Sequence, residues 1–283
     1  MNNYLAIDVH IHIQPLEMLN PETFKKFGAH LANFDEVVEM MRNPAKLLAY
    51  LDRAGVEKAV LINYVAPDVM GFTAETNDWV ARYVQAAPDR LIACGSVHPR
   101  FTEDCAAEVE RLANLGIKLL KVHPAHQLIY PNQYRDDLPQ QAKLYERAQD
   151  LCLPVMIHTG TSVFPRARNK YAQPIYADDL IVDFPKLRII LAHGGRPLWM
   201  DEAFFLVRRS KNVFLEISNI PPQNLLDYFP RLEQIADQTM FGSDWPGPFV
   251  KDIGANIEKF KTLPISDHVQ RKILRDTALK IFG

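Results

Sequence analysis

Four histidines and one aspartate of this 283-residue chain stand in or directly after short apolar segments. They are His10, His12, His158, His193 and Asp244. Residues two apart on a strand point to the same face, so His10 and His12 share a face. Unpaired imidazoles and a carboxylate are costly to bury together unless a cation compensates them. Neutral imidazoles with one carboxylate suit zinc best, with manganese, iron, cobalt or nickel as alternatives, and the pattern predicts one divalent ion.

The elements that must position these residues follow a repeating pattern along the whole chain. Short segments rich in valine, isoleucine and leucine alternate with longer amphipathic stretches, which is typical of strand–helix units around a parallel sheet. Eight units predict a single-domain (β/α)8 TIM barrel over residues 1–283, with chemistry at the carboxyl ends of the strands. An open doubly wound sheet is disfavoured because no glycine-rich turn follows the first strand. The predicted strands are residues 4–12, 58–65, 91–99, 117–124, 154–160, 187–194, 212–219 and 239–244.

Helix boundaries can be read from capping residues. Thr102 is predicted to begin a helix that Gly116 ends, and Ser266 to begin one that runs to Ile281. Residues 143–151 carry apolar side chains at helical spacing. Residues 13–43 form a long irregular stretch, predicted to lie over the catalytic face as a lid or pocket wall.

Composition narrows the class of protein. Hydrophobic residues make up 48% and charged residues 23%, which excludes a disordered, collagen-like or coiled-coil chain. The net charge of −2 gives no indication of a nucleic-acid or membrane partner. Three cysteines without a CxxC pair, and no signal peptide, favour a cytoplasmic protein. Self-association into a homo-oligomer is left open.

Five segments together resemble the amidohydrolase superfamily, in the branch that includes aminocarboxymuconate-semialdehyde decarboxylase. The resemblance covers the whole chain, and it implies that His10, His12, His158 and Asp244 bind one metal ion. His193 would stand beside the metal and orient or deprotonate a bound water, with Asp244 able to accept its proton. The matching segments are residues 7–12, 116–124, 155–160, 184–195 and 241–246.

Lys121 leaves an alternative open. Superfamily members with two metals carry a carboxylated lysine at the end of strand four, where Lys121 stands. With Lys121 and His193 as further ligands, a two-metal set would be complete. The branch mostly uses one metal, so we favour one metal and a substrate-binding role for Lys121. Asp8, two residues before His10, is predicted either to accept a hydrogen bond from a metal ligand or to make a structural one.

Cationic residues on the loops of the catalytic face suggest an anionic small-molecule substrate. Arginine can hold a carboxylate with two parallel hydrogen bonds. Trp199, Trp245, Phe164 and Tyr171 could supply an apolar wall, and His126 is the one further histidine near the face. The residues predicted to bind substrate are Lys121, His123, Arg166, Arg168 and Arg196.

Three functions compete. The leading one is a metal-dependent hydrolase that uses metal-activated water on a small, carboxylated ester, lactone or amide, with His193 and Asp244 as catalytic residues. The alternative is a metal-dependent, non-oxidative decarboxylase of an unsaturated or aromatic acid, which would deliver a proton to carbon instead of water. A catalytically silent barrel that only binds a ligand or partner is disfavoured by the intact set of five residues.

Overall fold

The computed structural model describes residues 4–29, 31, 33–247 and 250–283. Eight parallel strands follow one another around a sheet in chain order. Backbone hydrogen bonds then join the last segment to the first, with Asp244 N–H donating to His10 O at 2.8 Å and His12 N–H to Trp245 O at 2.7 Å. The fold is a single-domain (β/α)8 barrel, as predicted. Its strands are β1 Ala6–Ile11, β2 Val56–Leu61, β3 Leu91–Gly95, β4 Leu119–Val122, β5 Val155–His158, β6 Ile189–Ala192, β7 Val213–Glu216 and β8 Thr239–Met240.

Helices surround the barrel and fill the connections between strands. Within the described ranges, no helix combines the length and apolar character needed to cross a membrane. The α-helices are α1 Pro21–Ala29, α2 Phe34–Arg42, α3 Pro44–Ala54, α4 Glu75–Tyr83, α5 Cys105–Asn114, α6 Pro124–Gln127, α7 Pro139–Asp150, α8 Asp178–Asp183, α9 Met200–Arg209, α10 Leu225–Tyr228, α11 Ile253–Lys261, α12 Asp267–Arg271 and α13 Thr277–Phe282. Short 3-10 turns add Leu16–Met18, Val84–Ala86, Gln133–Arg135, Asn169–Tyr171, Pro174–Ala177, His193–Gly195, Pro222–Asn224 and Leu232–Gln238, and a π turn, Lys272–Asp276, joins α12 to α13.

Side chains alternate between two cores along the strands. Leu119 of β4, Met156 of β5 and Phe214 of β7 belong to the core inside the barrel, whereas their neighbours along each strand pack against the helices. The period of two then places the residue two positions later on the inner side as well. These residues are polar: Lys121, His158 and Glu216. The barrel interior is therefore apolar at its base and polar at its carboxyl end.

Several local predictions are wrong in detail. Helix α5 begins after Asp104, whose side chain accepts hydrogen bonds from Ala106 N–H and Ala107 N–H, instead of after Thr102. The stretch 13–43 is mostly helical, because it holds the turn Leu16–Met18 and helices α1 and α2, while residues 30 and 32 lie outside the described residues. Ser266 does cap α12 as predicted, by accepting from Val269 N–H. The predicted strands are too long, since the polar turns at their ends leave the sheet.

Gly242, just after β8, is required by close packing. A Cβ atom there would lie 2.3 Å from Glu216 Oε1 and 2.7 Å from His10 Cβ. Gly28 in α1 has room, since a Cβ atom would meet the Phe34 ring at 3.4 Å. We expect Gly242→Ala to lower the free energy of unfolding by about 1–3 kcal/mol through overpacking, and Gly28→Ala to raise it by about 0.5 kcal/mol. Urea titration measures both, and a Gly242→Ala protein as stable as the parent would contradict the packing argument.

Candidate metal centre

His10, His12 and Asp244 converge at the junction of β1 and the segment after β8. His12 Nε2 lies 2.9 Å from Asp244 Oδ1, and His10 Nε2 lies 3.2 Å from the same oxygen. The two imidazole nitrogens are 3.3 Å apart. His193, directly after β6, brings a ring nitrogen into a group with His10 and Asp244 whose atoms all lie within 4.8 Å of one another. The structure thus brings four of the five predicted residues into one cluster.

Glu216 and Ser218 hold two of these rings from behind. His10 Nδ1 lies 2.8 Å from Glu216 Oε2. Ser218 Oγ lies 2.8 Å from His193 Nδ1 and donates to Glu216 Oε2 at 2.8 Å. Because these contacts occupy the Nδ1 atoms, the Nε2 lone pairs of both histidines remain free for a metal, which is how a carboxylate behind a histidine orients a ligand.

Neither Glu216 nor Ser218 was predicted, although β7 was. A signal was present: a glutamate and a serine stand two apart at the end of an otherwise apolar strand, in the pattern that His10 and His12 show on β1. Burial raises the pKa of the Glu216 carboxyl to about 7, against the opposing effects of the Ser218 hydrogen bond and the Lys121 charge.

The backbone at the site is held in an uncommon conformation. His193, Asn219 and Asp244 have φ of 65°, 55° and 67°. Such left-handed angles at non-glycine residues cost about 1–3 kcal/mol each and persist only where the surroundings impose them. Asn219 Nδ2 donates to Asp244 Oδ2 at 2.7 Å, so the other carboxylate oxygen points to His10 and His12.

Ionisation at the site follows from burial and charge. Burial alone would raise the pKa of the Asp244 carboxyl, but the hydrogen bond with His12 and the nearby cationic groups outweigh it and hold the pKa below its usual range. Burial lowers the pKa of His10, His158 and His193 well below the ordinary value. His10, His158 and His193 are therefore neutral imidazoles near an ionised Asp244, the protonation state that metal binding needs.

Asp8 has the structural role of the two that were expected. Its Oδ1 atom accepts from the backbone N–H of His10 at 3.0 Å and of Ser243 at 2.9 Å. It thereby joins the end of β1 to the segment after β8. Glu216, not Asp8, is the carboxylate that contacts the Nδ1 atom of His10. Burial raises the pKa of Asp8 to about 7.

A stack of three histidines continues from the cluster. The ring of His158, at the end of β5, stacks on His123 with centroids 3.9 Å apart, and His123 stacks on His126 at 3.6 Å. His126 Nδ1 lies 3.0 Å from Tyr64 Oη, and its Nε2 atom lies 2.7 Å from Ser162 Oγ. His158 Nε2 is buried and has no hydrogen-bond partner within the described part of the chain. Its ring lies 4.6 Å from that of His193.

The predicted cationic residues separate into two groups. Lys121 is 1% exposed and Arg196 is partly buried, and both line the same cavity as the histidines. Lys121 Nζ and Arg196 Nε have no partner among the residues that the structure describes. Burial lowers the pKa of Lys121 to about 8. Arg166 and Arg168 are exposed instead, and Arg166 pairs with Glu22 of α1 at 3.5 Å.

Two adjoining cavities open at the carboxyl end of the barrel. The inner one, about 90 Å³, is lined by the metal cluster, the histidine stack, Lys121 and Arg196. The outer one, about 100 Å³, shares His12, Tyr64, Phe164 and Asp244 and is otherwise mainly apolar. Residues of the 13–43 segment form part of the outer wall, namely Gln14, Leu19, Thr23, Lys26 and Phe27.

Of the four predicted aromatic wall residues, only Phe164 lines either cavity. Trp245 is 1% exposed and packs on Tyr50 with ring centroids 5.0 Å apart. Tyr171 contacts Tyr130 at 4.6 Å. Tyr64, three residues past the end of β2, supplies the aromatic ring in place of the other predicted residues.

The residues at the centre fit a divalent metal ion. His10, His12 and Asp244 point three donor atoms at one another, and His158 has a buried nitrogen without a partner. Lone pairs that face one another at such distances repel, and a cation bound between them removes this repulsion. A bound ion would polarise a substrate oxygen and stabilise negative charge that develops on it.

The barrel and this cluster define a metal-dependent enzyme. A model of the amidohydrolase family matches residues 7–283. The chain belongs to that family, which confirms the resemblance seen in the sequence. A search of curated proteins finds no match.

Solved structures with this fold include decarboxylases. An uncharacterised TIM-barrel protein from Bordetella bronchiseptica is 22% identical with a TM-score of 0.77, covering 98% of this chain and 97% of that one. A 2,6-dihydroxybenzoate decarboxylase in complex with 2,6-dihydroxybenzoate is 21% identical, with a TM-score of 0.70 and coverage of 100% and 99%. A 5-carboxyvanillate decarboxylase from Novosphingobium aromaticivorans, complexed with manganese and 4-hydroxy-3-methoxy-5-nitrobenzoic acid, is 17% identical, with a TM-score of 0.68 and coverage of 99% and 96%.

The stacked pair His158 and His123 offers a matched test of the metal ligands. We expect His158→Ala to lose most of its bound metal, because a predicted ligand is removed, and His123→Ala to retain it. Metal content after purification and dialysis, measured by atomic emission, checks this. Equal loss in both variants would mean that the stack as a whole, and not His158 as a ligand, supports the ion.

A second test concerns the carboxylate behind His10. Glu216→Gln keeps the shape of the side chain and removes its charge, so we expect metal affinity to fall about 10–100-fold. Competition with a chelator measures the affinity, and Glu258→Gln, on the exposed face of α11, is the control. Unchanged affinity in Glu216→Gln would show that the carboxylate does not orient His10.

Proposed function

We propose that this protein is a metal-dependent, non-oxidative decarboxylase of a small aromatic or unsaturated carboxylic acid. His10, His12, His158 and Asp244 would hold one divalent ion. The observation that carries the proposal is a pair of cationic side chains, Lys121 and Arg196, that face the same small cavity as the cluster. The buried Nζ atom of Lys121 and the buried Nε atom of Arg196 have no hydrogen-bond partner in the described residues.

An anionic substrate would satisfy both cationic groups. A buried charge without a partner is unfavourable, and a carboxylate entering the cavity would supply the missing acceptors. The Arg196 side chain is held in place because its Nη1 atom donates to Thr161 O at 3.0 Å. Its Nε atom has no partner in the described residues and would be available to the carboxylate. With one metal ion Lys121 stays a cation, which the Glu216 and Asp244 carboxylates stabilise against the burial that lowers its pKa to about 8.

The outer cavity suits the remainder of such a substrate. Leu19, Phe27, Met70 and Phe164 present apolar surface next to the polar inner cavity. A flat ring or unsaturated chain could occupy this space while its carboxylate reaches the cations. Since the two cavities together are small, the substrate is compact.

Decarboxylation makes limited demands on the protein. The bond between the carboxylate carbon and the adjacent carbon breaks, the electron pair stays on that carbon, and a proton replaces the departing carbon dioxide. We assign the transfer of this proton, taken up from solvent, to His193 and Asp244, which lie beside each other in the cluster. A site that excludes water favours the reaction, because the localised charge of the carboxylate spreads as the bond breaks.

The comparisons favour this alternative over the hydrolase that leads in the sequence analysis. Two of the solved structures described above act on, or bind, aromatic acids with oxygen substituents, as their names state. The identity of the metal also needs a test, because the sequence favours zinc whereas one of these structures contains manganese. Metal identity and reaction therefore need to be tested together.

We expect manganese- or zinc-loaded protein to release carbon dioxide from at least one acid in a panel of hydroxybenzoates and muconate-like acids, in equal amount to the acid consumed. Small lactones and esters in the same panel test hydrolysis. Ring opening of a lactone, with no release of carbon dioxide from any acid, would favour the hydrolase over the decarboxylase.

Two arginine variants make the assay specific for the cavity. Arg196→Ala should lower kcat/KM about tenfold or more, because a hydrogen bond to a charged group is worth about 1.5–3 kcal/mol. Arg168→Ala, whose side chain is exposed, should stay within about twofold of the parent. If kcat/KM of both variants matches that of the parent, Arg196 does not bind the substrate carboxylate, even if the protein releases carbon dioxide.

A further inference from the structure

Tyr64, His126 and Ser162 form a hydrogen-bonded chain that the proposed reaction does not use. His126 Nδ1 lies 3.0 Å from Tyr64 Oη and His126 Nε2 lies 2.7 Å from Ser162 Oγ. All three residues line the inner cavity. Tyr64 and His126 are buried, so the chain is held in place by its surroundings.

Counting hydrogens shows that this chain always has a free donor. Burial lowers the pKa of His126 to about 3, so its ring is neutral and carries one N–H. The two hydroxyl groups carry one hydrogen each. Three hydrogens serve two contacts, so one hydrogen at one end of the chain has no acceptor within it.

The free hydrogen belongs to Ser162. A phenol is a better donor than an aliphatic hydroxyl, so Tyr64 donates to His126 Nδ1, and His126 Nε2–H then donates to Ser162 Oγ. The backbone N–H of Phe164 also donates to Ser162 Oγ, at 3.4 Å. Both lone pairs of the serine oxygen are then occupied, and in the described part of the chain its hydrogen finds no further acceptor.

We propose that Ser162 donates its free hydrogen to an oxygen substituent of the substrate. This oxygen lies at a distance from the carboxylate that reacts. The inference rests on the proposed function, and it narrows the substrate class to acids with a hydroxyl, carbonyl or second carboxylate at a distance. His126 and Tyr64 are positioning residues that act through Ser162.

The arrangement of the histidine stack sets where that oxygen lies. The ring centre of His126 is 6.4 Å from that of His158, the predicted metal ligand. An oxygen ortho to the carboxylate would stay at the metal end, whereas a meta or para oxygen can reach across the stack. Phe164, edge-on to His126 with centroids 5.3 Å apart, forms an apolar wall beside the same place.

The test compares benzoate with 2-, 3- and 4-hydroxybenzoate on manganese-loaded protein, by calorimetric titration. For any acid that is turned over, kcat/KM takes the place of affinity. We expect the 3- or the 4-hydroxy acid to bind about tenfold or more tightly than benzoate and the 2-hydroxy acid. Ser162→Ala should reduce that ratio to within about twofold, Ser162→Thr should keep it, and Ser210→Ala on the surface is the control.

Tyr64→Phe should also lower the ratio, because Ser162 can then turn its hydrogen towards His126. The inference is overturned if the parent protein shows no preference, if it prefers the 2-hydroxy acid, or if Ser162→Ala leaves the ratio unchanged. A ratio removed by Tyr64→Phe but not by Ser162→Ala would overturn the assignment of the donor. Since affinity needs no turnover, failure of the proposed decarboxylation stays distinguishable from failure of this inference.

Discussion

The contact between the Glu216 carboxylate and His10 Nδ1 is the interaction on which the rest of the centre depends. It joins β7 to β1 across the barrel at 2.8 Å, in a position where neither group is exposed to water. Through Ser218 the same carboxylate reaches His193, so one buried anion sets the orientation of two imidazole rings. Gly242 packs so closely against this pair that an added Cβ atom would lie 2.3 Å from Glu216 Oε1. A site of this kind is oriented before any ion or substrate arrives.

Buried charge explains much of what surrounds that contact. Burial raises the pKa of Glu216 and of Asp8 to about 7 and lowers that of Lys121 to about 8. Groups of opposite charge in one apolar barrel partly offset each other's desolvation, but truncating one of them leaves the others unpaired. Lys121 and Arg196 bring positive charge to a place where the described residues leave Lys121 Nζ and Arg196 Nε without a hydrogen-bond partner. An anionic ligand would therefore supply hydrogen-bond acceptors and opposite charge to these two cationic groups.

The histidine stack divides the cavity by function. His158 belongs to the metal end, whereas His126 belongs to a hydrogen-bonded chain that ends on Ser162, and His123 packs between them. Stacked neutral rings bring polar edges to both ends without adding charge in between. A compact acid can therefore be held at its carboxylate by cations and at its far side by a hydroxyl group.

The sequence alone predicted the barrel, which the structure confirms, and picked out four histidines and an aspartate at strand ends, four of which the structure brings into one cluster, because both predictions depend on local patterns. Short apolar segments between amphipathic stretches mark the strands, and polar residues two apart at a strand end must share a face, as His10 and His12 do. Partners across the barrel follow no local rule. Glu216 meets His10 from 206 positions away, and Arg196 enters the cavity while Arg166, in an equally basic loop, pairs with Glu22 on α1. Strand register, barrel closure and loop packing decide such contacts, and these are properties of the folded chain as a whole.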